Sequence, residues 1–192
     1  MGVLRGFVGL LLLSIALLGS STSMANTSAW QALQEGGQVI LMRHALAPGV
    51  GDPDNFNRDD CATQRNLSDQ GRAQAAAIGD AFRQRSIPVD AIYSSHWCRV
   101  LETAELMALG DVQTVDWLDS FFIASERYAR EQRTREARQQ ILDWQGSGNL
   151  LLVTHQVNIT ALVGGGVASG DMVVVQPEDG ELTVIGRLTD VR

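Results

Sequence analysis

The chain has 192 residues, with 15 arginines, no lysine, 22 acids and a formal net charge of −7. An acidic chain of this kind excludes non-specific binding to nucleic acid or anionic lipid. Any anionic substrate must be held by a local arginine cluster, whose forked guanidiniums grip phosphate oxygens bidentately.

Residues 1–25 combine an early cation, Arg5, an apolar core from Phe7 to Leu18 and the ending Ser23-Met24-Ala25. That pattern predicts a secretory signal peptide cut after Ala25, and its apolar run is short for a membrane span. The expectation is an exported protein, periplasmic or otherwise, with no stable membrane insertion after cleavage. Residues 26–192 are then long enough for a single domain with a sizeable core. The two cysteines, Cys61 and Cys98, form an even count, which in an exported protein favours a disulfide. The pattern predicts a Cys61–Cys98 bridge.

A short helix around Trp30–Leu33 leads, through Gly36-Gly37, into the apolar run Val39-Ile40-Leu41-Met42. This run predicts a buried strand that delivers Arg43 and His44 at its C-terminal end, where open α/β sheets build their sites. A long polar loop follows, Ala45–Asn66. Its DPDNFNRDD run lacks the glycine and closing glutamate of a calcium loop, so no metal is expected there. Ser68 caps a helix with Ala73, Ala77, Ile78, Ala81 and Phe82 on its apolar stripe, and Pro88 ends that segment. Asp90–Tyr93 reads as a strand ending at Ser94-Ser95. Next come a helix carrying Val100, Leu101, Ala104 and Met107 and a third strand over Val112–Val115. A polar helix spans Ala124–Trp144, with a solvated, salt-bridged face. Asn149–Val153 is a buried strand ending at Thr154-His155. A helical stretch near Ile159–Val163 precedes Gly164-Gly165-Gly166, and strands Met172–Val175 and Leu182–Leu188 close the chain around a turn at Pro177–Gly180. The alternation predicts an α/β fold: a three-layer α/β/α sandwich with a mainly parallel central sheet and a closing antiparallel hairpin.

Three strand ends then present related residues: Arg43 and His44, Ser94-Ser95 leading to Arg99, and His155. In a mainly parallel sheet they gather along one edge. Arginines and imidazoles around one point make a pocket for a tetrahedral dianion, and a neutral imidazole there can attack phosphorus. His96, on the turn after Ser95, reads as positional or as lying at the substrate's edge rather than as catalytic. Trp97 is placed at the pocket mouth.

Four segments, LMRHA at 41–45, NLSDQGRAQAAAIGDAF at 66–82, YSSHWCRVLETAELM at 93–107 and VTHQVNITAL at 153–162, resemble the histidine phosphatase (phosphoglycerate mutase-like) superfamily. The resemblance implies a phosphatase (phosphoric monoester hydrolase) that works through a phosphohistidine on His44. Arg43, Arg99 and His155 are its implied phosphate-binding residues, His155 also being catalytic. It implies no cofactor and no metal. Asp119 lies where one branch carries its general acid and reads either as that acid or as a helix cap or surface acid. Arg65 either touches phosphate or is a solvated loop arginine. The pattern departs from the family at Ala45, where a glycine is usual, and at Gln156. The DCATQRNLS and SSHWCR stretches look like the exported lipopolysaccharide core heptose-phosphate phosphatase group, which would make the partner a small phosphorylated envelope sugar. The alternatives are a non-catalytic phosphate-binding module and a phosphohistidine phosphatase.

Overall fold

The computed structural model describes residues 20–122 and 127–191. The apolar core of the expected signal peptide, residues 7–18, lies outside them. In chain order the elements are α1 (Ser20–Glu35), β1 (Val39–Arg43), α2 (Asp69–Gln84), β2 (Val89–Ser94), α3 (Cys98–Met107) and β3 (Val112–Thr114). They continue with α4 (Arg127–Leu142), β4 (Asn149–Thr154), α5 (Gln156–Val163), β5 (Met172–Glu178) and β6 (Glu181–Leu188). Short 3-10 turns sit at Cys61–Thr63 and Asp116–Leu118.

The six strands form one sheet in the order β3-β2-β4-β1-β5-β6. The pairs β2–β3, β2–β4 and β1–β4 are parallel, whereas β1–β5 and β5–β6 are antiparallel. The two central strands, β4 and β1, are apolar runs because both of their faces are covered. Alternation along β1 divides its side chains between two cores. Ile40 and Met42 pack with Leu33, Ile78, Phe82, Val100 and Met107 of α1, α2 and α3. Val39 and Leu41 pack with Ile141 of α4, Ile159 of α5 and Trp117. The result is the three-layer sandwich expected from the sequence.

The closing hairpin is longer than its sequence pattern predicts. Strand β5 runs through Pro177 and Glu178, and the turn is confined to Asp179-Gly180, both at positive φ. Beyond Val175 strand β5 has only β6 beside it, and a proline is tolerated where a strand has one free side. Among the described residues, no helix is long and apolar enough to cross a membrane. Cys61 and Cys98 are joined by a disulfide, with Cα atoms 5.7 Å apart.

Candidate active site

Because β1, β4 and β2 are parallel neighbours, their C-terminal ends lie side by side, with Arg43 in register with Thr154 and Ser94 with Val153. This edge brings His44 and His155 together, ring centroids 5.8 Å apart and nearly perpendicular. Both imidazoles are buried, as is Arg99.

The loop after His44 is held by the N-terminal turns of α2. Ser68 caps that helix by accepting from the Gly71 amide, and its own amide donates to the Leu46 carbonyl. A Cβ on Gly71 would lie 2.1 Å from the Leu46 oxygen, so only glycine permits this approach. Gln74 accepts from the Leu46 amide and donates to the Ser169 carbonyl. Thr103 of α3 accepts from the Ala45 amide at 3.0 Å and donates to the Arg99 carbonyl at 2.7 Å. The Leu-Ser-x-x-Gly-x-x-Gln and Glu-Thr-Ala patterns thus clamp the backbone around His44. Ala45 itself is buried against Ala47, Leu67 and Ala75 and is not among the residues at positive φ, so its backbone has no need of glycine.

His44 Nδ1 lies 2.7 Å from the Ala45 carbonyl, which can only accept. The ring proton therefore sits on Nδ1, and Nε2 keeps its lone pair. Burial, followed by the guanidiniums of Arg99, Arg43 and Arg65, lowers the His44 pKa to about 3, against the opposing effect of the Ala45 carbonyl. His155 is held well below its ordinary value by burial and then by Arg99. The three arginines also act on one another: burial and then Arg99 pull Arg43 down and bring Arg65 to about 10. An arriving dianion would relieve that mutual repulsion.

The neutral state of His44 has a consequence for stability. Its folded pKa is depressed, so between about pH 3 and pH 6.5 the unfolded chain binds the extra proton. Stability must therefore fall as the pH is lowered through that window, and His44 alone contributes about 2 kcal/mol of loss between pH 7 and pH 5. Urea unfolding at the two pH values should show a smaller difference in His44→Ala. An equal difference would mean that His44 is exposed or charged in the native protein.

Asp119 is fully buried and does not stand beside His44 as a free acid. Its Oδ1 accepts from Ser95 Oγ (3.0 Å), the His96 amide (2.9 Å) and His96 Nδ1 (3.2 Å). Ser95 Oγ spends its one proton on Asp119, so the contact of 3.0 Å to His155 Nε2 is donated by the ring. A chain His155–Ser95–Asp119 results. His96, Asp116 and Asp119 offer ligand atoms within 4.8 Å of one another, but Arg58 already pairs with both carboxylates, at 3.1 and 3.5 Å.

Arg65 is not a solvated loop residue. Its Nε donates to the Gly51 carbonyl at 2.9 Å and its Nη1 to the Ala47 carbonyl. Arg43 donates Nη1 to the Val167 carbonyl at 2.8 Å. Trp97 meets the His155 ring edge-on at 5.4 Å and stacks on Phe56 at 5.1 Å. Phe56 gives no signal of this placement in the sequence, whereas Ser95 is expected at this edge but not as the link between His155 and Asp119. Gln156 is exposed on the first turn of α5, where it needs no special backbone.

A neutral imidazole with a free lone pair beside three guanidiniums is arranged to receive a phosphoryl group and attack its phosphorus. Residues 39–121, which carry Arg43, His44, Arg99 and Asp119, match the family model of the histidine phosphatase superfamily, branch 1. This match covers less than half of the chain and is a likeness to that superfamily. Several solved structures share the fold of this chain. The protein histidine phosphatase SixA complexed with tungstate is 12% identical, with a TM-score of 0.54 over 79% of this chain and 96% of that one. A phosphoserine phosphatase from Entamoeba histolytica in complex with 3-phosphoglyceric acid is 14% identical, with a TM-score of 0.59 over 79% and 96%. A mycobacterial glucosyl-3-phosphoglycerate phosphatase complexed with VO3 is 16% identical, with a TM-score of 0.54 over 72% and 92%. No curated protein matches the sequence.

Proposed function

We propose that this protein is an exported phosphomonoesterase that hydrolyses a phosphate ester, on an envelope sugar, through a phosphohistidine at His44. The observation that carries the reading is the tautomer of His44: Nδ1 is committed to the Ala45 carbonyl, leaving the Nε2 lone pair among Arg43, Arg65 and Arg99. In the first step Nε2 attacks phosphorus, the P–O ester bond breaks, and the departing oxygen takes up a proton. Asp119 Oδ1 accepts from Ser95 Oγ, so it does not feed that proton back through His155; water supplies it, and Asp119 holds the His155 ring in place through Ser95. Water then attacks the phosphohistidine, releasing inorganic phosphate and regenerating neutral His44. The guanidiniums balance charge on the equatorial oxygens in both steps.

Export is supported by the apolar leader pattern and by the Cys61–Cys98 disulfide, a bond that persists in oxidising compartments. The sugar ester rests on the sequence resemblance and on the aromatic pair Trp97–Phe56 beside His155, whose faces suit a sugar ring. Phosphate release from a panel of envelope sugar phosphates and a generic aryl phosphate tests the proposal. Release from the aryl ester alone would remove the sugar assignment, and release from none would leave a phosphate-binding module. Arg99→Lys should not restore function, because a point-charge ammonium cannot replace the fork. The expected cost is about 2 kcal/mol, roughly thirtyfold in affinity for vanadate. Unchanged competitive inhibition by vanadate would show that Arg99 does not hold the phosphoryl group.

A further inference from the structure

One carboxylate sits inside the cationic cluster. Asp52, on the loop after β1, accepts at Oδ1 from Arg99 Nη1 (2.7 Å) and from the Arg65 amide (3.0 Å). Its Oδ2 accepts from Trp97 Nε1 (3.0 Å) and Arg99 Nη2 (3.3 Å). All four donors come from the site: a phosphate arginine twice, the backbone of a second arginine, and the indole that leans on His155. Arg99 also donates Nη1 to the Arg65 carbonyl at 3.2 Å.

Two functions are open to such a carboxylate. It could occupy the phosphate position and be expelled by substrate, or it could hold Arg99 for substrate. The hydrogen bonds decide. Expulsion would strip the Trp97 indole N–H and the Arg65 amide of their acceptor, whereas a carboxylate that stays keeps both satisfied. The Arg99 fork adds a second reason. Asp52 takes the end of the guanidinium formed by Nη1 and Nη2, while the buried Nε has no hydrogen-bond partner among the described residues, and the same is true of Nε on Arg43. A guanidinium has five N–H donors in a fixed plane, so an anion can still bind side-on through Nε while Asp52 keeps the end.

We infer that Asp52 is a positioning residue, which grips one edge of Arg99 and joins it to Arg65 and Trp97 so that the Nε edge is presented to the phosphoryl group. This rests on the proposed phosphate site and deepens it. Burial pushes the Asp52 carboxyl up, but the bonds from Arg99 and the Arg65 amide bring it below the ordinary carboxylate range, so it stays charged in neutral solution.

The test is inorganic phosphate and orthovanadate binding, measured by calorimetry on wild type and Asp52→Asn, with the arginine Nε–Hε resonances followed by NMR. Outer partners that orient binding groups typically contribute about ten- to a hundredfold in affinity, and Asp52→Asn should weaken both anions by about tenfold. In wild type the Arg99 and Arg43 Nε–Hε signals should shift on adding phosphate, a readout available even if the variant does not fold. Equal or tighter binding by Asp52→Asn, or no Nε–Hε shift in a wild type that binds phosphate, would overturn the role of Asp52 alone. A wild type that binds neither anion would overturn the phosphate site and this inference with it.

Discussion

His44→Ala should lose turnover on the order of 10⁴-fold or more, the scale on which removing a covalent nucleophile acts. The same variant should lose the acid-labile phosphoenzyme that a brief incubation of wild type with labelled substrate traps. The two readouts together separate the nucleophile from a residue that merely binds. His44 is buried against Ala45 and His155, with its own amide donating to the Thr154 carbonyl, so its backbone stays in place when the ring is cut back. A folded His44→Ala that retained wild-type turnover would end the phosphohistidine mechanism. His155→Ala is the informative partner. His155 shares the cluster but commits Nε2 to Ser95, so its loss should slow turnover while still allowing an adduct to form on His44.

Breaking the disulfide should have the second large effect. Cys61 and Cys98 are 37 residues apart, and the chain-entropy treatment of a loop of that length gives about 3–4 kcal/mol of stabilisation. For a domain of this size that corresponds to a fall in Tm of about 10 °C in the Cys61→Ser/Cys98→Ser variant. The loss should also reach the site. Cys98 opens α3 one residue before Arg99, and its amide donates to Gln64 Oε1 at 3.0 Å, which places the neighbouring Arg65. The bridge therefore staples the long loop to the helix that carries the Arg99 clamp. Vanadate affinity measured well below the melting temperature should fall in the reduced or double-serine protein. An unchanged affinity alongside a lowered Tm would confine the bond to stability.

What could be read along the chain was what short stretches carry locally. The apolar runs at 39–42 and 149–153 are strands because both faces of a central parallel strand must be apolar. The Ser68 cap, the Ile78 and Phe82 stripe and the Arg43-His44 pair at a strand end each lie within a few residues of one another. Where the local signal was ambiguous, the tertiary structure decided it. Pro177 reads as a turn residue, yet it belongs to β5 because no second neighbour needs its missing N–H.

The fold class, the placing of His44 and Arg43 at the sheet edge and the pairing of the only two cysteines were thus determined by the sequence itself, through periodicity, strand ends and count. Only the tertiary structure decided that Asp52 grips Arg99 from 47 residues away and that Ser95 links His155 to Asp119, 36 residues apart in the chain. The reason is physical. A hydrogen bond between distant segments depends on which loops the sheet order brings together, and an acid in a polar loop looks alike along the chain whether water or a buried guanidinium faces it.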